Sequence, residues 1–198
     1  MSLRELKRAR TRQALVDAAV ELFERDGYEQ TTIADIAAAA EIGTRTYFGY
    51  FATKEDLLFP ENDVRLGAAV AAIAARGPGD GPADVLLRAL RQVGEDSDDM
   101  TGRLAALRMR LIRQVPSVRG RALQIQLDAQ RQIARHLAGA FPGQLDLIAA
   151  AALVGAFVGA VTGALQELLD TAEPEDPQQV RLAVQQATEI ALRPWLAR

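Results

Sequence analysis

Cysteine is absent from all 198 residues, which excludes a disulfide scaffold, a thiol nucleophile and thiolate metal sites. A single histidine excludes a metal centre built on imidazoles. Aromatic residues make up only 5% of the chain, and Val, Ile and Thr together fill 32 positions against 62 for Ala and Leu. Strands favour branched and aromatic side chains, helices favour Ala and Leu, so an all-α protein is expected. The length suits one core of ordinary size, or a small module joined to a larger one. The first residues, Met-Ser-Leu-Arg-Glu-Leu-Lys-Arg, lack the apolar stretch of a signal peptide, and the expected location is cytoplasmic. Catalytic signatures are missing too. The carboxylates pair on no apolar face, no glycine-rich phosphate loop follows a strand, and the lone His136 has no evident Ser or Asp partner. An enzyme, a metal and a cofactor are therefore not expected.

The net charge of −3 at pH 7 speaks, taken alone, against a nucleic-acid binder. The distribution says more than the sum. Arg4, Lys7, Arg8, Arg10 and Arg12 face a single acid, Glu5, within the first twelve residues, a local charge of +4. The acidic patch Glu95, Asp96, Asp98 and Asp99 falls far away in the sequence.

Helix breakers mixed with polar residues mark three loops, at Arg76–Pro82, Gly94–Gly102 and Glu173–Pro177. No 20–50-residue repeat is visible, which argues against a solenoid. Between the breaks the apolar spacing is helical. Leu15, Ala18, Ala19, Leu22 and Phe23 make one stripe, closed by Gly27. Thr32 is a good N-cap for a short helix carrying Ile33, Ile36, Ala37 and Ala40, with Asp35 in its first turn. Glu41-Ile42-Gly43 interrupts, and a third short helix is expected from about Thr44 to Phe51. A fourth opens at Ala52-Thr53-Lys54-Glu55, with Thr53 as its cap, and should reach about Arg76. Further helices fall near 83–94, 102–114, 117–140, 144–170 and 177–192, with a break at Pro116, for nine in all.

Two short helices joined by a three-residue turn have helix-turn-helix geometry. The second must be held by a narrow apolar face while its other face stays free for DNA. Tyr47 and Phe51, four apart, share a face assigned to the core. Thr44, Arg45, Thr46, Phe48 and Tyr50 are left on or near the outside. Arg45 suits a guanine edge, the threonines a base or phosphate, and the Tyr50 hydroxyl a phosphate. Lys54 and the following helix start supply a cation and free N–H groups for phosphate. The basic arm before Ala14, with Arg10 and Arg12, would lie along the duplex, or be a solvated tail without it.

These residues resemble the DNA-binding domain of the TetR family of transcriptional repressors. The resemblance rests on Ala18-Ala19, Leu22-Phe23, Gly27-Tyr28, Thr31-Thr32, Glu41-Ile42-Gly43, Thr46-Tyr47-Phe48-Gly49-Tyr50-Phe51 and Lys54-Glu55-Asp56-Leu57, in unbroken spacing over about residues 10–60. The chain departs from the family's pattern at several points. Glu41 stands in place of the turn glycine and Gly43 in place of the usual Ser, so capping of the recognition helix falls to Gly43 or Thr44. Phe48 stands where a Tyr often contacts phosphate, Ala34 where some relatives present a long base-reading side chain, and Gly49 removes another large side chain. The resemblance implies a nine-helix all-α architecture. A three-helix helix-turn-helix domain would span about residues 1–55, and a helical ligand-binding and dimerisation bundle about 56–198. Its contacts with DNA would come from Arg10, Arg12, Thr32, Thr44, Arg45, Thr46, Phe48, Tyr50 and Lys54. It further implies a homodimer on a pseudo-palindromic operator, and a small-molecule inducer that tilts helix four and draws the two recognition helices off successive major grooves.

The C-terminal half is less patterned. The run Leu104 to Val115, with Arg108, Arg110 and Arg113 ahead of Pro116, loosely resembles the subset of TetR-type regulators that bind acyl-coenzyme A-like ligands. Leu107, Arg108, Leu111, Leu127, Arg131, Phe157 and Val161 are candidate pocket walls for such a largely apolar ligand. Leu147 to Leu165 gives 19 uncharged residues with Gly155, Gly159 and Gly163 four apart. Its length allows a membrane span, but Ala and Gly are weakly apolar and the flanks Asp146 and Glu167 lack basic anchors. A buried helix is expected instead, its small-residue face letting a neighbouring helix approach closely in the protomer core or, as favoured here, across a dimer interface. A helical small-molecule-binding or catalytic protein without DNA-binding activity is the alternative reading.

Overall fold

The computed structural model describes residues 2–96, 102–171 and 177–196. Among these residues there are nine α-helices and no strand. They are α1 (Leu3–Arg25), α2 (Ile33–Ala39), α3 (Thr44–Tyr47), α4 (Asn62–Ala74), α5 (Pro82–Asp96), α6 (Arg103–Gln114), α7 (Pro116–Ala140), α8 (Leu147–Thr171) and α9 (Pro177–Leu196). The chain forms two compact units, residues 1–60 with 110–122, and residues 61–109 with 123–198. Of the three expected loops, the stretches 97–101 and 172–176 lie outside the described residues, with Asp98 and Asp99 among them.

In the first unit, α1 begins at Leu3 instead of after a basic arm. Ser2 Oγ accepts from the Glu5 N–H at 3.2 Å while Glu5 Oε2 accepts from the Ser2 N–H at 2.6 Å, a complete capping box. The +4 segment is therefore the first turns of a helix, neither arm nor tail. At its other end Gly27 takes φ +92°, a conformation that L side chains rarely adopt and glycine adopts freely. Leu15, Val16, Ala19, Val20, Leu22 and Phe23 of α1 bury against Ile36 and Ala37 of α2, Tyr47, Phe51, Leu57 and Leu58. This apolar stripe is what orients the two short helices.

The fourth helix differs from expectation. Glu55–Leu58 is a single 3-10 turn, and α4 starts only at Asn62. Pro60 is the cause: it has no N–H to give and bars the residue before it from helical geometry, and Phe59 sits at φ −129°, ψ 45°. Thr53 is not the cap either. Asp56 Oδ2 accepts from the Ala52 and Thr53 N–H groups at 3.2 and 3.0 Å.

The second unit closes on an aliphatic core. Ala72 and Ile73 of α4, Val85 and Leu86 of α5, Ile133 and Leu137 of α7, Leu153 and Val154 of α8 and Leu192 of α9 are all buried in it. Asp80 fastens the loop ahead of α5 by accepting from the Gly77 N–H and from Arg88 Nη2, both at 2.8 Å. On α8 only one face is covered. Over Leu147–Leu168 mean hydropathy is 2.1, yet 17% of the most apolar window is buried within the chain. The buried helix expected there is buried on the Ala150, Leu153 and Val154 side alone.

Candidate nucleic-acid interface

The helix-turn-helix is built by α2, its turn and α3. Thr32 and Asp35 form a second capping box: Thr32 Oγ1 accepts from the Asp35 N–H at 3.2 Å, and Asp35 Oδ2 accepts from the Thr32 N–H at 2.9 Å. The Thr32 hydroxyl also donates to Asp35 Oδ2 at 2.6 Å. These bonds, the hydroxyl's first, hold the Asp35 carboxyl below its usual range. Thr32 is exposed but its hydroxyl serves the helix end. Helix α2 ends in a Schellman arrangement: the Ile42 N–H reaches Ala37 O at 2.9 Å and the Glu41 N–H reaches Ala38 O at 3.0 Å. That arrangement needs a left-handed residue at its centre, and Glu41 supplies it at φ +57°. Gly43 then caps α3 in extended geometry, with no side-chain bond.

Helix α3 is shorter than the spacing suggests. Regular α geometry stops at Tyr47, and tighter bonds carry the chain on, from the Gly49 N–H to Thr46 O at 3.0 Å and the Tyr50 N–H to Tyr47 O at 2.8 Å. Gly49, the weakest helix former available apart from proline, sits in that turn. The apolar face is as expected: Tyr47 is fully buried and Phe51 nearly so, their rings 6.0 Å apart. Tyr47 donates its hydroxyl to Thr53 O at 2.7 Å. Burial first, then the Asp56 and Glu55 carboxylates, push this phenol well above its ordinary value, so it stays a donor. Thr44, Arg45, Thr46 and Phe48 are exposed together on the opposite side, Phe48 by 56%. Tyr50 is half-buried at the edge of this face, with the Arg8 guanidinium 5.2 Å above its ring.

The cations divide into two sets. Arg4, Lys7, Arg8 and Arg10 on α1 and Arg45 on α3 are exposed. Arg12 and Lys54 are partly buried and engaged inside the unit. Arg12 donates to Tyr50 O and Pro60 O, both at 3.1 Å, with its guanidinium 4.3 Å over the Phe51 ring. Lys54 donates to Tyr28 O at 2.7 Å and Thr31 O at 3.0 Å, with its ammonium 4.1 Å over the Tyr28 ring. The sequence places Lys54 at a phosphate and Arg12 along the duplex; in the free chain both side chains are engaged by their own backbone. Sequence reasoning also missed Asp56, which besides its two backbone bonds accepts from Arg121 Nε at 2.7 Å. The i, i+4 spacing of Arg8 and Arg12 on one face of α1 was the available signal for the first of these internal links.

The expected ligand and interface residues are more scattered. Leu107 and Arg108 are buried in the second unit and Leu111 in the first. Phe157 and Val161 are half-buried. Leu127, 52% exposed, and Arg131, four residues on along α7, are both exposed in the single chain. A Cβ added at Gly155, Gly159 or Gly163 would meet nothing within 4 Å.

An all-helical chain whose first unit is a capped helix-turn-helix with one buried and one bare face on its second helix defines a helix-turn-helix protein. Comparison with known proteins places it more closely. Residues 15–59 match the family described as "Bacterial regulatory proteins, tetR family", and residues 80–189, more than half of the chain, match "MftR C-terminal domain". The chain belongs to the TetR family of regulators. The HTH-type transcriptional regulator TcmR of Streptomyces glaucescens is 32% identical over 149 residues, 73% of this chain and 66% of that protein. The HTH-type transcriptional regulator HbdR of Aromatoleum sp. (strain CIB) is 42% identical over 48 residues, 24% of this chain and 21% of that protein. The chain thus matches less than two thirds of the length of these relatives. Among solved structures, Thermus thermophilus FadR, a TetR family repressor in complex with lauroyl-CoA, superposes with a TM-score of 0.58 at 20% identity, covering 94% of this chain and 96% of that one. A TetR-family regulator from Syntrophomonas wolfei reaches 0.61 at 17% identity, covering 93% and 96%. These two share the fold.

Proposed function

We propose that this protein is a one-component transcriptional repressor that binds a pseudo-palindromic operator as a homodimer. One observation carries the reading: Tyr47 and Phe51 lock α3 from below while Thr44, Arg45, Thr46 and Phe48 stand bare above. An exposed polar face of this kind on a rigidly held short helix is what base readout in a major groove requires. Residues 1–55 carry DNA binding in this reading and residues 56–198 carry ligand binding and dimerisation. Arg45 reads a base edge, and Thr44, Thr46 and the Tyr50 hydroxyl contact base or phosphate, with Arg10 adding charge. The dimer face we assign to α8 and α9, where Leu147, Ile148, Leu182 and Ile190 are 53–81% exposed. The ligand is a small, largely apolar molecule held among the aliphatic side chains of the second unit, a class that includes acyl-coenzyme A-like compounds. The location is cytoplasmic.

The test is fluorescence anisotropy with a duplex selected from a random pool by the wild-type chain, read across a salt series. Site-specific binding should survive competitor DNA, and changing Arg45 and Tyr50 together to Ala should abolish it while helix content and oligomeric state stay the same. Failure to select any duplex, or full binding by the double variant, would sink the reading.

A further inference from the structure

We infer that Arg12 is a positioning residue of the recognition helix and does not contact DNA. The assignment rests on the DNA-binding reading above, and its chemistry is local to the first unit. A guanidinium offers five N–H donors in a planar fork and two faces. Arg12 spends Nη1 on Tyr50 O and Nη2 on Pro60 O, and lays one face on the Phe51 ring. Each terminal nitrogen thus holds a backbone carbonyl before any duplex arrives, and the residue is partly buried. The guanidinium is thus held in place by two backbone carbonyls and a ring of its own unit, turned toward the protein and not toward a duplex.

The two carbonyls matter by their place in the chain. Tyr50 O stands at the end of the turn that continues α3, and Pro60 O stands just ahead of α4. Arg12 therefore ties both ends of the segment 51–59 to α1. One turn earlier on α1, Arg8 donates to Gly49 O at 3.2 Å. Consecutive carbonyls at the end of the recognition helix, Gly49 and Tyr50, are in this way each capped by a cation. Carbonyls at a helix end lack intrahelical donors and carry its negative pole, so they favour cations. A four-residue helix with no side-chain cap at Gly43 has little rigidity of its own. The clamp from α1 supplies it.

The test compares Arg12→Gln and Arg12→Lys with the wild-type chain on the selected duplex and on a scrambled one, each over a salt series. A clamp predicts that both variants lose at least about tenfold in affinity for the selected duplex. Affinity for the scrambled duplex and the slope of log K against log salt should stay unchanged. Arg12→Lys should fail although it keeps the charge, because its single nitrogen would have to serve at once two carbonyls that the guanidinium reaches with two separate nitrogens. A phosphate contact predicts the reverse: a near-normal Arg12→Lys, and for Arg12→Gln a slope smaller by about one on both duplexes. That outcome overturns the assignment, as does wild-type affinity in both variants. Circular dichroism checks that each variant is folded. Should Arg12→Gln unfold, Arg8→Gln removes the exposed half of the clamp and is expected to cost specific affinity in the same slope-neutral way. A slope change there would also count against it. Absence of any duplex selected by the wild-type chain would remove the DNA-binding reading and this assignment with it.

Discussion

At Glu41 a non-glycine residue holds a left-handed backbone. The Schellman bonds of Ala37, Ala38, Glu41 and Ile42 require a left-handed residue, and a glutamate holds φ +57° there. That conformation costs an L-residue about 1–2 kcal/mol, part of which glycine's greater freedom in the unfolded chain would offset. Glu41→Gly should therefore stabilise the fold by about 1 kcal/mol, raising Tm by about 2–4 °C for a chain of this size. Thermal unfolding checks it, and a lowered Tm would show that the Glu41 side chain makes a compensating contact. Which residues face inward was legible because burial follows a period: Tyr47 and Phe51 could be assigned from a spacing of four. What Arg12 and Lys54 do was not legible. Charge and position said that both lie near the recognition helix. Whether a cation there meets a phosphate or its own backbone depends on which carbonyls α1 and the loop bring within 3 Å, a tertiary fact.

At the scale of elements, the N-terminal capping boxes decide where helices start, and they were only half visible in sequence. Thr32 and Asp35 stood out beside an apolar run. Ser2 and Glu5 did not, because the residues after them are basic and the segment read as an arm. Thr32→Ala should cost about 1 kcal/mol, seen as a lower Tm with the same unfolding cooperativity. The Asp35 carboxyl is held below its ordinary value in the folded chain, first by the Thr32 hydroxyl and then by the Thr32 N–H. Glu55 is also held low: burial works against its charged form, but bonds from its own N–H and neighbouring hydroxyls outweigh this. A carboxyl depressed on folding stabilises above its unfolded pKa of about 4, and that contribution fades as pH falls through the folded value. Stability should thus decline on acidification below about pH 4.5, and Asp35→Asn should decline less steeply than wild type. An identical acid profile would mean that the cap does not sense the charge. The ends of α3 and α4 escaped the sequence for a different reason. Apolar periodicity runs straight through Phe59 and Pro60, while the missing N–H of one proline splits the expected helix into a 3-10 turn and α4.

For the whole molecule, the prominent unbalanced surface lies on α8 and α9. Ile148 is 81% exposed, Leu182 65% and Ile190 59%, large apolar side chains of the kind that subunit contacts cover. Sedimentation should find a dimer, and Leu182→Glu with Ile190→Glu should give a folded monomer. A double variant that stays dimeric would move the interface elsewhere. Gly159→Leu is a finer probe, since nothing lies within 4 Å of a Cβ there in the single chain: loss of the dimer would show that the partner does. The helical class was legible from composition; the grouping of residues 110–122 with residues 1–60 was not, because it depends on packing between segments fifty residues apart. The link from Lys54 to Tyr28 O and Thr31 O has one more consequence, in reactivity. The chain holds 21 arginines and two lysines, Lys7 and Lys54. Lys7 is exposed on α1, whereas the Lys54 amine is engaged by two carbonyls and an aromatic ring. An acylating reagent should modify Lys7 at once and Lys54 only as often as the helix-turn-helix opens, so peptide mass spectrometry of one slow site would time the breathing of the whole unit.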